Sequence, residues 1–256
     1  MIHKSWWWNA KMRDSRLAYD AAPEVRDVIA GIGRTEDVKL SPDDSRLAIV
    51  DYTNNKVFLF AVKIDNSAAS PRITILDYSI ISSASLCTPH GVAFLGNDHI
   101  VVCNRGGDVC VFELFRDGEL PRERNLEPRA SINGRGVLRA TVKTPGSVVC
   151  YEIAANCYRF FVCNNHLNLV TSHIIWLGNN AKLKNEGILV ENRLKTPDGV
   201  GLSADNAWIA VSNADNGEVL IYRNTLDLNK KTAPAAILRG VVCPHEIGRA
   251  SCRERV

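Results

Sequence analysis

Residues 196–222 read TPDGVGLSADNAWIAVSNADNGEVLIY. A short apolar run, GVGL, gives way to a polar turn at Ala204-Asp205-Asn206. A second apolar run, WIAVSN, leads to the pair Asn216-Gly217, and a third run, EVLIY, comes after it. Asn, Asp and Gly tolerate a left-handed backbone or bond back to their own chain, so they break the apolar runs into strands. The Asn216-Gly217 pair predicts a tight type I′ turn between two antiparallel strands.

The same grammar returns on either side. Residues 35–60 read TEDVKLSPDDSRLAIVDYTNNKVFLF, and residues 88–112 read TPHGVAFLGNDHIVVCNRGGDVCVF. Residues 144–170, TPGSVVCYEIAANCYRFFVCNNHLNLV, fit more loosely. The matching turns are Pro42-Asp43-Asp44 and Gly96-Asn97-Asp98, and the matching tight pairs are Asn54-Asn55 and Gly106-Gly107. A fourth, more variable run is present in some copies, as in PRITILDYSII from Pro71 and SHIIWLG from Ser172. A unit of four strands recurring at roughly fifty residues predicts an all-β fold, a β-propeller of four-stranded antiparallel blades. No stretch carries a convincing helical spacing of apolar residues. A β-sandwich is the competing fold, but it leaves the recurrence of one turn at one offset unexplained.

Bulk properties exclude several functions. The chain has 256 residues, 46% hydrophobic and 23% charged, with a net charge of +3. That balance suits a globular domain with a sizeable core, and no basic run points to nucleic acid. No apolar stretch is long enough for a membrane span, and the N-terminus lacks the pattern of a signal peptide. Trp6-Trp7-Trp8 reads as a strand or loop packed on the domain, or as a sticky contact with a partner or membrane interface. Of eight cysteines, Cys87, Cys103, Cys110, Cys150, Cys157 and Cys163 lie mostly in apolar runs, Cys243 and Cys252 lie near the end, and no pair has C-x-x-C spacing. They read as reduced core residues in a cytoplasm-like compartment, with a zinc site or disulfide set as the alternative.

The stretches SPDD…RLAIVD…NNKV and TPDGV…WIAVSN…NGEV resemble the repeat of gluconolactonase-like, NHL-repeat and seven-bladed lactonase-like propellers, over residues 35–245. The resemblance implies architecture more than activity. It also implies that Asp198, in the segment TPDGV, matches a metal-ligating Asp of gluconolactonase-like enzymes. The family's Asn-Gly segment reads His90-Gly91 here, and Glu36 stands beside, but offset from, the place of the family's early Glu.

The segment Cys243-Pro244-His245 is in register with Thr88-Pro89-His90, as if a fifth copy began there. The remaining peptide, EIGRASCRERV at residues 246–256, has no counterpart in the other copies and resembles a translated sequencing adapter. Three parts are therefore expected: an N-terminal segment at 1–34, with EVRDVIAGIGR suited to the outer strand of a closing blade; an incomplete propeller of about four blades at 35–245; and an artefactual tail at 246–256. The natural ring is expected to continue for about two more blades, leaving apolar blade faces exposed at both ends of this chain.

In a propeller the innermost strands line a central channel, and the residues that begin them ring one mouth. That ring is expected to collect Asp37, His90, Ser147, Asp198 and His245. Of these, Asp37, His90, Asp198 and His245 offer imidazole and carboxylate ligands for a divalent cation, zinc or calcium. The same residues also suit simple hydrogen bonds to a neighbouring blade, or a ligand bound without metal. His99, His166 and His173 read as turn or surface residues, and Asp51 and Asp215 as turn formers. No nucleophile elbow or phosphate-binding loop is present. Two functions remain: a recognition scaffold for a protein or small ligand, or a metal-dependent hydrolase or lyase acting on lactones or sugar acids.

Overall fold

The computed structural model describes residues 19–67, 71–115, 122–133, 142–242, 244, 245 and 247. Trp6-Trp7-Trp8, Cys243, Cys252 and nearly all of the 246–256 tail lie outside these residues.

Four sheets follow one another along the chain. The first begins with β1 (Tyr19–Ala21), passes through helix α1 (Pro23–Ala30), and continues as β2 (Thr35–Leu40), β3 (Arg46–Asp51), β4 (Lys56–Asp65) and β5 (Arg72–Ser82). The second holds β6 (Pro89–Leu95), β7 (His99–Asn104) and β8 (Val109–Glu113). After β8 the chain forms β9 (Glu123–Asn125) and then β10 (Ala130–Ile132), the fourth strand of that sheet. The third comprises β11 (Pro145–Ala154), β12 (Cys157–Asn164), β13 (Leu169–Trp176) and β14 (Lys182–Val190). The last comprises β15 (Pro197–Leu202), β16 (Trp208–Asn213), β17 (Glu218–Arg223) and β18 (Ala236–Arg239). In each sheet four strands form an antiparallel meander, the first sheet adding β1 and β9 at its rim, and the first strands β2, β6, β11 and β15 lie side by side in sequence order. These are propeller blades with the expected innermost strands.

Apolar side chains on both faces of the sheets explain why they stack. Val50, Val57 and Leu59 of the first blade meet Val92, Ile100 and Val102 of the second. Val101, Val109 and Val111 of the second meet Phe160, Val162 and Ile175 of the third. Phe161, Cys163 and Val170 of the third meet Val200, Ile209 and Leu220 of the fourth. Gly91 allows the closest approach, because a Cβ there would collide with the carbonyl oxygen of Gly146 on the neighbouring inner strand.

Three expectations are corrected. The segment EVRDVIAGIGR is not a strand: α1 starts with Pro23 in its first turn, where a missing N–H costs nothing. Val25, Val28 and Ile29 then fall on one helical face and, with Ile32 just beyond the helix, pack against Phe58, Phe60 and Val62. This helix covers the outward face of the first blade, and the strand added at that blade's rim is β1, parallel to β5. The residues Ser172–Trp176 belong to the third strand of their blade, with β14 as the fourth. Finally, the tight pairs are not two-residue turns. Four residues separate the second and third strands of every blade, and the last of them is left-handed at Asn55, Asn168 and Gly217 (φ 54°, 55° and 59°).

The outward face of the fourth blade is apolar and partly covered. Trp208, Val219 and Ile221 there are half-buried, Leu238 is exposed, and Ile247 lies against Gly201. The six cysteines at 87, 103, 110, 150, 157 and 163 form no disulfide among the described residues, and all but the exposed Cys87 and half-buried Cys150 are buried. Among the described residues no helix is long and apolar enough to cross a membrane.

A strap joins the first two blades. β9 runs parallel to Ile80–Ser82 of β5. The Ile80 N–H donates to the Arg122 carbonyl at 2.9 Å, and the Leu126 N–H donates to the Ser82 carbonyl at 2.8 Å. The Arg122 guanidinium lies 4.4 Å from the Tyr78 ring centroid and pairs with Asp77 at 2.9 Å.

Candidate functional site

One device repeats at the inner end of every blade. The second strand ends in Asp51, Asn104, Asn164 or Asn213, each fully buried. Its side-chain oxygen accepts the backbone N–H two residues before the inner strand's first paired residue: Gly33 at 2.9 Å, Cys87 at 3.0 Å, Lys143 at 2.9 Å and Lys195 at 2.5 Å. The chain then enters the inner strand through Thr88, Thr144 and Thr196 with φ of 50°, 50° and 51°. That conformation is costly for a β-branched residue and persists only when its surroundings enforce it.

These anchors set the true register. Thr35, Pro89, Pro145 and Pro197 are equivalent, since they pair with Asp51, Asn104, Asn164 and Asn213. The register shifts directly after them, and such a bulge re-aims side chains. The next position, held by Glu36, His90, Gly146 and Asp198, faces the axis. Pro244-His245 continues the series, and the His245 ring lies 5.7 Å from that of His90.

Of the expected ring, His90, Asp198 and His245 are therefore brought together, whereas Asp37 and Ser147 are not. Each of those two sits one residue further on, and in a strand one residue means the opposite face. Asp37 accepts the Val92 N–H at 3.0 Å and Lys39 Nζ at 2.7 Å. Burial raises its carboxyl pKa, against the opposing pull of Lys39 and these donors. Ser147 Oγ accepts the Val200 N–H at 3.3 Å. Both fasten their inner strand to the next blade.

Glu36 takes the place expected for Asp37. Its Oε2 lies 3.3 Å from His90 Nε2, and Oε1 pairs with Arg34. Two more residues complete the cluster. Arg105 and Asn165 occupy the same place in their blades, directly after the buried strand-end Asn. Arg105 Nη2 donates to His90 Nε2 at 2.8 Å and to Asp198 Oδ1 at 2.6 Å. Asn165 Nδ2 donates to Asp198 Oδ1 at 2.7 Å, and His245 Nε2 to Asp198 Oδ2 at 2.9 Å. The repeat locates their position, directly after the buried strand-end residue, but not their role, because the equivalent positions in the outer two blades are Tyr52 and Ala214.

Exposure divides the cluster into two layers. The side chains of His90, Glu36 and Asp198 are 1%, 5% and 8% exposed, those of Arg105 and His245 23% and 52%. Burial first, and then the neighbouring Arg105, push the His90 pKa down to about 3, with Asp198 opposing. His90 is thus a neutral acceptor for Arg105 at physiological pH.

Glu36, His90 and His245 place one ligand atom each within 4.8 Å of one another. That donor set is of the zinc type rather than the all-oxygen calcium type. Yet His90 Nε2, the nitrogen 3.3 Å from Glu36, already accepts Arg105, and Asp198 is taken by Arg105, Asn165 and His245. A divalent cation does not fit while that guanidinium is in place.

The other histidines separate. His166 is exposed in a short 3₁₀ turn, and His99 opens β7 half-buried. His173 departs from its expected surface place: it is fully buried in β13, 5.0 Å from the Phe160 ring, with Nε2 2.8 Å from Thr171 Oγ1. Asp51 is a turn former, as expected. Burial opposes its charge, but donors from Asn54, Gly33 and Thr53 hold its pKa low. Asp215 lies in the turn before Gly217 and accepts the Thr196 hydroxyl at 2.8 Å.

No protein-family model and no curated protein matches the sequence. Solved structures do resemble the chain. A Bacteroides fragilis protein provisionally designated a 6-phosphogluconolactonase aligns with a TM-score of 0.56 at 15% identity, over 83% of this chain and 56% of that one. The periplasmic gluconolactonase PpgL of Pseudomonas aeruginosa aligns at 0.55 and 14%, over 83% and 56%. The β-propeller domain of Myceliophteria thermophila Cps50 (Swd1) aligns at 0.53 and 13%, over 81% and 60%. The chain thus spans less than two thirds of the length of each. At these identities the likeness establishes architecture alone, and in architecture this chain is a β-propeller of four-stranded antiparallel blades.

Proposed function

We propose that the channel mouth hydrolyses lactones of the sugar-acid type without a metal, with His245 as the base and Arg105 facing the carbonyl oxygen. What supports this reading is the layering of the cluster: Arg105 and His245 are its open groups, and Asp198 holds both from behind. A carboxylate accepts only, so the His245 proton lies on Nε2, leaving Nδ1 as the basic nitrogen. A water gives its proton to that nitrogen while its oxygen attacks the lactone carbonyl. Negative charge gathers on the carbonyl oxygen against Arg105. The acyl C–O bond of the ring then breaks, and the ring oxygen takes the proton from His245, releasing the open hydroxy acid. Names of the structural neighbours that refer to gluconolactone hydrolysis agree with this chemistry.

The test is saturable hydrolysis of D-glucono-1,5-lactone above the spontaneous rate, measured in a pH-stat with and without EDTA. Turnover indifferent to EDTA, and reduced roughly a hundredfold or more in Arg105→Met, is expected. Activity lost to EDTA and restored by zinc would overturn the metal-free chemistry. No turnover at all would favour a recognition scaffold binding a protein or small ligand on this face.

A further inference from the structure

We infer that His90 is a positioning residue for the Arg105 guanidinium: its Nε2 lone pair holds Nη2, which leaves Nη1 and Nε of Arg105 as the donors that meet a ligand oxygen. The inference rests on the lactone reading above for what that oxygen is, but the clamp itself is independent of it. The Arg105 backbone N–H donates to the Thr88 carbonyl at 2.9 Å, which fixes the root of the side chain. At the far end, Nη2 has two hydrogens and both are spent, on His90 Nε2 at 2.8 Å and on Asp198 Oδ1 at 2.6 Å. The two acceptors come from the second and fourth blades. Nη1 and Nε donate to nothing among the described residues, and the side chain is 23% exposed.

The imidazole bears the cost of this arrangement. A guanidinium only donates, so Nε2 is the accepting nitrogen and the ring proton stands on Nδ1. Nδ1 is buried and has no partner among the described residues. A buried N–H without an acceptor is unfavourable. The other tautomer would remove that cost, because Nε2 would then donate to Glu36 Oε2, 3.3 Å away. Arg105 forbids it. Nor can His90 be the base, since one ring nitrogen is taken by Arg105 and the other carries a proton out of reach of solvent. What His90 supplies is an acceptor without charge. A carboxylate in its place would stand beside Glu36 and Asp198 and add a third negative charge to the cluster. A donor to a developing oxyanion acts best when it is held in place beforehand, and His90 gives Arg105 that rigidity.

The experiment compares His90→Leu, which removes the acceptor, with His90→Gln, whose amide oxygen can stand near the place of Nε2. On D-glucono-1,5-lactone, His90→Leu is expected to lower kcat per folded molecule roughly tenfold or more with KM little changed, and His90→Gln to recover most of that loss. Equal losses in the two variants overturn the positioning role, as does an undiminished kcat per folded molecule in His90→Leu. Long-range proton–nitrogen correlation NMR of the imidazoles reads the clamp without turnover. The His90 ring is expected as the Nδ1–H tautomer in the wild type and as the Nε2–H tautomer, donating to Glu36, in Arg105→Met. An Nε2–H ring in the wild type, or the same tautomer in both proteins, overturns the clamp. If no lactone is turned over, the catalytic reading fails, and the NMR comparison alone decides whether His90 holds Arg105.

Discussion

His173 makes the stability of this propeller sensitive to mild acid. Its imidazole is fully buried between the second and third blades, Nε2 is bonded to Thr171, and Nδ1 has no partner among the described residues. Burial alone pushes its pKa down to about 3. In the unfolded chain the same ring titrates near its ordinary value of 6.5. The depressed folded pKa means that the unfolded state binds the proton more readily, so His173's contribution is complete above pH 6.5 and is lost as pH falls toward 3. Between pH 7 and pH 5 the loss is about 2 kcal/mol, and any folded pKa below about 4 leaves that figure unchanged. Urea unfolding of the wild type and of His173→Leu at both pH values reads this loss directly. His90 shares the behaviour but is present in both proteins, so it cancels in the comparison. Wild type is expected to lose about 2 kcal/mol more than the variant on going from pH 7 to pH 5. Equal losses would rule out a proton-poor, desolvated imidazole at this interface.

Asn213→Ala removes the acceptor of the Lys195 N–H and the donor to the Arg193 carbonyl, and is expected to cost about 1–3 kcal/mol by urea unfolding. Gly91→Ala drives a methyl group into the Gly146 carbonyl and is expected to lower stability by about 1–3 kcal/mol, read as a fall in Tm. Asp37→Asn and Glu36→Gln separate the two faces of β2: the first is expected to lower the urea midpoint and spare lactone turnover per folded molecule, and the second the reverse. Turnover lost in Asp37→Asn would return that residue to the channel.

The blade grammar was legible because each turn uses residues whose backbone freedom is visible by type. Asp44, Gly96, Asn156 and Asn206 close the first turn of the four blades with φ between 56° and 63°. The channel ring was half legible. Aligning Thr35 with Thr88 places Asp37 on the axis, but the backbone equates Thr35 with Pro89, which substitutes Glu36. The better guide was the column Asp51, Asn104, Asn164 and Asn213, whose hydrogen bonds set where each inner strand begins. Arg105 and Asn165 stand directly after that column, but nothing in their residue type separates a channel group from a turn former. Helix α1 was missed because its apolar spacing covers only eight residues, too short for periodicity to distinguish it from a strand.

The strap formed by β9 separates the order of synthesis from the order of completion. One end of the β5 rim is covered early by β1, but its other end, Ile80–Ser82, finds its partner only in residues 122–126, which leave the ribosome after the three inner strands of the following blade. Until then a nascent chain carries an open strand edge, the kind of surface on which a second polypeptide can pair. The first blade is thus completed by chain that belongs to the second, and a stall in translation between Glu113 and Arg122 is expected to leave the Ile80–Ser82 edge unpaired.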